Sequence, residues 1–232
     1  MPEVILNGSE GRLEGRYHQS AFPGAPVAVV LHPHPLYGGT MNNKIVYRMY
    51  QSFAQSGFSV LRFNFRGVGR SLGKFDDGIG ELSDAATALD WVQQQNPDAS
   101  SCWVSGFSFG SWIALQLLMR RPEIEGFIAV SPPANMYDFT FLSPCPASGL
   151  ITMGDKDDIV KHEDVARLVE KIRTQKYAKL DYRVFEGADH YYRTSLDELQ
   201  TSMDGYIKER LIDARNARSV KQDKKRRQLP RD

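Results

Sequence analysis

Ser108 stands between two glycines in GFSFG (106–110), after the apolar run CWVS and before a helical pattern, FGSWIALQLLMRR. A serine on a tight strand-to-helix turn presents its hydroxyl for nucleophilic attack, and flanking glycines let strand and helix close behind it. The same spacing also suits a plain turn of small residues, so the chemistry depends on partners elsewhere. A serine hydroxyl needs a base to take its proton and a carboxylate to hold that base. Five histidines are available: His18 lies before the main run of elements, His32 and His34 follow its first strand, and His162 opens a helix. His190, in GADHYY, follows the last strand, which makes it the expected base by order and loop placement.

The carboxylate is expected from GDKDDIV (154–160), where Asp155, Asp157 and Asp158 compete. Three acids so close cannot all be buried and ionised cheaply, so one points inward and the others are solvated or cap the next helix. Asp157 is taken as the acid, although the residues alone barely separate it from its neighbours; Asp138, in ANMYDF, is the outside candidate. Developing negative charge on a substrate oxygen needs backbone donors. Phe109 N–H, at the start of the helix that follows the serine, is one. In LHPHPLYGG (31–39), Pro33 and Pro35 lack an N–H, which leaves the His34 amide as the second. HPH also reads as a fragment of a metal site, but no carboxylate–histidine partner motif accompanies it, so neither metal nor organic cofactor is expected.

These loops need a scaffold, and the rest of the chain supplies its pattern. From residue 27 onward, short apolar runs (VAVVLH, FSVLRFNF, CWVSGF, GFIAVSP, SGLITMG, AKLDYRVFEG) alternate with helical patterns. NNKIVYRMYQSFAQSG has an Asn cap at its start and Gly57 to end it, and SLDELQTSMDGYIKERL turns Leu196, Leu199, Met203 and Ile207 inward. Such alternation predicts an α/β domain with a mostly parallel sheet covered by helices on both faces, preceded by a short antiparallel pair, EVILNG and GRLEGRYH, at one edge.

The chain of 232 residues suits one α/β domain, set at 1–214. From Arg215 onward, eight Lys/Arg against two Asp give a net of +6; the whole chain carries +1, so the body carries −5. This 215–232 segment is expected to be a flexible, solvated tail; contact with nucleic acid or anionic lipid is the alternative, and nucleic acid is not expected as the main partner. The apolar runs are too short to span a bilayer, the start lacks a secretory pattern, and Cys102 and Cys145 form no CxxC, which together give a cytoplasmic expectation.

On LHPHP, FNFRGVGRS, GFSFG, GDKDDIV and GADHYY, taken in that order, the chain resembles the α/β-hydrolase superfamily over about residues 1–214. More narrowly it is similar to small bacterial serine hydrolases with an LHPHPLYGGTMNNK-type opening, related to dienelactone hydrolases but with serine in place of cysteine. The resemblance implies an α/β-hydrolase fold and a Ser-acid-His triad. It maps the acid onto Asp157, three residues after Gly154. Many members carry a helical lid after the sixth strand; here SPPANMYDFTFLSPCPAS (131–148) leaves room for a loop or one short helix, so a shallow, open site is expected. Tyr137, Phe139 and Phe141 either line an apolar pocket there or pack beneath the loop. The expected activity is cleavage of small-molecule carboxylic esters or thioesters; the alternatives are a peptidase and a hydrolase-fold binding protein with little turnover.

Overall fold

The computed structural model describes residues 1–174 and 179–227. Eight strands form one sheet: β1 (Glu3–Gly8), β2 (Gly11–His18), β3 (Val27–Leu31), β4 (Ser59–Phe63), β5 (Cys102–Phe107), β6 (Ile124–Val130), β7 (Ser148–Gly154) and β8 (Leu180–Phe185). Their order across the sheet is β1-β2-β4-β3-β5-β6-β7-β8. The hairpin β1–β2 joins β4 antiparallel at one edge, and β3 to β8 pair in parallel. All the loops that follow these parallel strands therefore emerge at one edge of the sheet, where α/β folds place their sites.

The helices are α1 (Lys44–Gln55), α2 (Ile79–Gln95), α3 (Phe109–Arg120), α4 (His162–Arg173) and α5 (Leu196–Arg227). Asn43 caps α1, its side chain accepting the Ile45 and Val46 amides, and Gly57 follows the helix at φ 88°. The strand period of two divides the core into two layers. Val27, Val29 and Leu31 of β3 belong to the layer covered by α2, α3 and α4, while Ala28 and Val30 belong to the layer covered by α1 and α5. A central strand buried on both faces is uniformly apolar for this reason. Burying each such Val or Leu side chain contributes about 1.5–3 kcal/mol.

Two short 3₁₀ turns, Pro35–Tyr37 and Thr140–Leu142, lie in the loops after β3 and β6. Thr140–Leu142 is the only helix assigned between β6 and β7, so a short loop, not a helical lid, stands there. The last helix continues to Arg227, past Arg215 where the sequence places the start of a tail; 228–232 lie outside the described residues. Among the described residues no helix is long and apolar enough to cross a membrane.

Candidate active site

Ser108 links β5 directly to α3 with φ 52° and ψ −122°, a left-handed backbone unfavourable for a residue with a Cβ. Hydrogen bonds hold it there: its N–H donates to Val130 O at 2.9 Å, and its carbonyl accepts from Ser111 N–H at 2.8 Å and Ser111 Oγ at 2.6 Å. Both neighbouring glycines are required by space. A Cβ on Gly106 would stand 2.2 Å from Gly110 O, and one on Gly110 would stand 2.5 Å from the carbonyls of Leu31 and His32. The second contact also shows that the loop after β3 lies directly against the turn that bears Ser108.

His190 lies in the loop after β8, buried, with its ring 5.0 Å from Phe107 and 5.2 Å from Tyr191. Its Nε2 is 3.2 Å from Ser108 Oγ and its Nδ1 is 2.7 Å from Asp157 Oδ2. A carboxylate only accepts, so this network puts the proton on Nδ1 and leaves Nε2 to accept from the serine hydroxyl. The Asp157 side chain is fully buried, and its other oxygen accepts the Ile159 amide at 2.9 Å and the Val160 amide at 2.7 Å. A carboxylate so bonded is held aimed at the ring. Asp155 instead accepts the Gly187 amide at 2.6 Å and is exposed, as is Asp158. Asp138 closes its own turn by accepting Thr140 N–H at 2.8 Å and Thr140 Oγ1 at 2.7 Å. The acid and base loops are locked together because Gly154 lacks a Cβ, which would lie 2.2 Å from Ala188 O; that carbonyl accepts the Lys156 amide at 3.0 Å.

The loop after β3 is anchored by His32, a residue whose part the sequence did not indicate. Its ring is fully buried: Nδ1 donates to Pro33 O at 2.6 Å and Nε2 accepts the Phe65 amide at 3.0 Å. Burial pushes its pKa down to about 4, so the ring is neutral at pH 7. Both nitrogens are engaged, and no cluster of metal-ligating side chains occurs among the described residues. His34 accepts the Tyr37 and Gly39 amides on its carbonyl, each at 3.1 Å, and the Leu36 amide on Nδ1 at 3.2 Å. Its ring stands 4.9 Å from Phe109 and 4.8 Å from Phe75. Burial lowers the pKa of His34, against the opposing pull of Asp77. The Phe109 amide opens α3, in the first turn, where N–H groups have no acceptor within the helix. The His34 ring thus packs against the residue that follows Ser108.

The aromatic residues of the loop after β6 divide their tasks. Phe139 is buried in the core, and Phe141 stacks on it at 5.9 Å. Tyr137 stacks on Trp112 at 4.3 Å and meets Phe109 at 5.9 Å, beside the serine turn.

Residues 21–217 match the family of X-Pro dipeptidyl-peptidase (S15 family). A solved α/β hydrolase of unknown function from Agrobacterium tumefaciens is 57% identical with a TM-score of 0.90, covering 91% of this chain and 97% of that one. A Xanthomonas campestris α/β serine hydrolase without a lid is 30% identical with a TM-score of 0.80, covering 90% and 94%. An uncharacterized Rickettsia prowazekii protein is 54% identical over 211 residues, 89% of each chain. On a match that spans most of its length and on solved relatives of this identity, the chain belongs to the S15 family of the α/β-hydrolase superfamily.

Proposed function

We propose that this chain is a serine hydrolase that cleaves small-molecule carboxylic esters or thioesters through a covalent acyl-enzyme. The observation that carries the reading is the position of His190, whose two ring nitrogens stand 3.2 Å from Ser108 Oγ and 2.7 Å from Asp157 Oδ2. Ser108 Oγ attacks the carbonyl carbon as its proton passes to His190 Nε2. Asp157 keeps the ring in the tautomer that can accept and stabilises the imidazolium that forms. The amides of Phe109 and His34 hold the oxyanion; losing one such donor typically costs about 3–4 kcal/mol of barrier. The imidazolium then protonates the leaving alcohol or thiol, and water repeats the sequence in reverse roles to release the acid. No metal or organic cofactor takes part in these steps.

A fluorophosphonate probe tests the nucleophile. Covalent labelling is expected for the native chain, absent in Ser108→Ala and weakened in His190→Ala. Labelling that survives Ser108→Ala removes the assignment, and an unlabelled native chain favours a binding protein with little turnover. The family match favours one further reading, a peptidase acting on Xaa-Pro substrates. Turnover of an Xaa-Pro p-nitroanilide at a rate approaching that of a p-nitrophenyl ester would move the assignment there.

A further inference from the structure

Arg62 and Asn64 interrupt the apolar run at the carboxyl end of β4, and both are buried, with 7% and 4% of their surface exposed. No carboxylate pairs with Arg62 among the described residues. Its Nη1 donates to Met41 O at 2.5 Å and to Asn42 Oδ1 at 2.9 Å, and its guanidinium lies 5.3 Å and 5.6 Å from the ring centres of Tyr47 and Tyr50. Asn64 Oδ1 accepts the Met41 amide at 2.8 Å, and its Nδ2 donates to Glu14 Oε2 at 2.9 Å. The orientation of this amide group is unambiguous, since an N–H requires an oxygen and a carboxylate requires a donor. Gly69, at φ 58°, makes room: a Cβ there would lie 2.5 Å from Asn64 Nδ2 and 2.6 Å from Glu14 Oε2. Met41 is thus gripped at both its N–H and its carbonyl, one end of the stretch whose other end is His32, bonded to Phe65.

We propose that Arg62, on β4, and Asn64, just past its end, are positioning residues for the oxyanion loop: they fix Met41, and so set where the His34 amide stands relative to Ser108. The inference rests on the reading of Ser108 as nucleophile and the His34 amide as donor. Stability alone argues for apolar side chains at both positions, because a buried guanidinium without a carboxylate and a buried amide are costly unless every polar atom is bonded. A loop suspended between two fixed posts has little freedom to drift, and drift of about 1 Å is enough to cost roughly 100-fold in rate.

The test compares Arg62→Met, Arg62→Lys and Asn64→Leu with the native chain on a p-nitrophenyl ester, with a boronic acid as mimic of the tetrahedral intermediate. Arg62→Met and Asn64→Leu are expected to lose roughly 10- to 100-fold in kcat with KM within about twofold, and to bind the boronate more weakly by the same factor, because the oxyanion contacts act on the transition state. Arg62→Lys recovers most of kcat, since an ammonium still reaches the Met41 carbonyl. If Asn64→Leu does not fold, Glu14→Met, which removes the acceptor of Asn64 Nδ2 and frees that end of the amide, is expected to move kcat and boronate affinity together in the same direction. Unchanged kcat, a raised KM with kcat intact, or boronate affinity that does not follow kcat would overturn the proposal. Probe labelling lost in Ser108→Ala while kcat is unchanged in these variants overturns this inference alone; labelling that survives Ser108→Ala overturns it together with the reading of the site.

Discussion

Asp157 holds His190 from one oxygen and its own loop from the other: Oδ2 is 2.7 Å from the ring Nδ1, while Oδ1 accepts the Ile159 and Val160 amides at 2.9 and 2.7 Å. The carboxylate cannot rotate without breaking bonds on both sides, so the imidazole inherits the rigidity of the loop after β7. That rigidity continues through Gly154, whose missing Cβ lets the Ala188 carbonyl of the base loop dock against the acid loop.

The first prediction concerns which aspartate matters. Asp157→Asn presents an amide to Nδ1, which permits the tautomer with its proton on Nε2, the wrong face for accepting from Ser108. A loss on the order of 10⁴-fold in kcat is expected, the size seen when a triad aspartate becomes an amide. Asp158→Asn, exposed, is expected to stay within about twofold, and Asp155→Asn to lower stability modestly through the Gly187 amide without a comparable loss of rate. Steady-state rates on a p-nitrophenyl ester decide it; near-native turnover of Asp157→Asn would sink the choice.

A second prediction follows from His32. Its folded-state pKa of about 4 lies below the ordinary 6.5 because burial disfavours the charged ring. Between those two values the unfolded chain binds a proton that the folded chain refuses, so stability falls as pH drops from 6.5 towards 4 and is unaffected by this group above 6.5. Across that whole pH window the loss comes to about 3 kcal/mol, because a tenfold change in proton affinity is worth about 1.4 kcal/mol. Urea unfolding across pH 4–7 is expected to show a shallower slope for His32→Gln, whose amide oxygen can still accept from Phe65 N–H. Parallel curves for the two proteins would contradict it.

Much of this arrangement is written in the residues, and the reasons for the gaps are physical. The alternation of apolar runs and helical patterns anticipates the sheet closely, because a strand covered on both faces has little choice but to be apolar; CWVSGF and SGLITMG coincide with β5 and β7 to the residue. GFSFG is legible because only glycine tolerates the 2.2 and 2.5 Å approaches at 106 and 110. The choice among three aspartates is not, since it depends on which carboxylate the turn at 157–160 can satisfy with its own amides, a matter of backbone direction. The end of α5 is obscure because a charged helix and a solvated coil share a composition. Arg62 and Asn64 did leave a signal: polar residues two apart at the end of the otherwise apolar run FSVLRFNF, the spacing that puts side chains on one face of extended chain. Such a period-two polar pair in a buried apolar run marks side chains that hold something outside the sheet.

The third prediction lies in the turn after β4, where Arg66 and Asp84 form an ion pair with side chains 5% and 1% exposed. Asp84 Oδ2 accepts the Arg66 amide at 2.9 Å and Nε at 3.1 Å, Oδ1 accepts Nη2 at 2.8 Å, and Nη2 also donates to Ser9 Oγ at 2.9 Å. The guanidinium lies so close to the α2 backbone that a Cβ on Gly80 would stand 2.2 Å from Nη1. Both oxygens of Asp84 are engaged, which makes the pair all-or-none. Asp84→Ala strands a buried cation, and a loss of about 3–5 kcal/mol is expected, whereas replacing both partners by apolar residues of similar size restores much of it. Because the pair ties the segment carrying Phe75, which packs on the His34 ring at 4.8 Å, Asp84→Ala is also expected to lower kcat. Chemical denaturation of Asp84→Ala beside the Arg66→Met/Asp84→Leu double variant reads the coupling directly; two equally destabilised proteins would show that burial of the charge is not what the aspartate relieves.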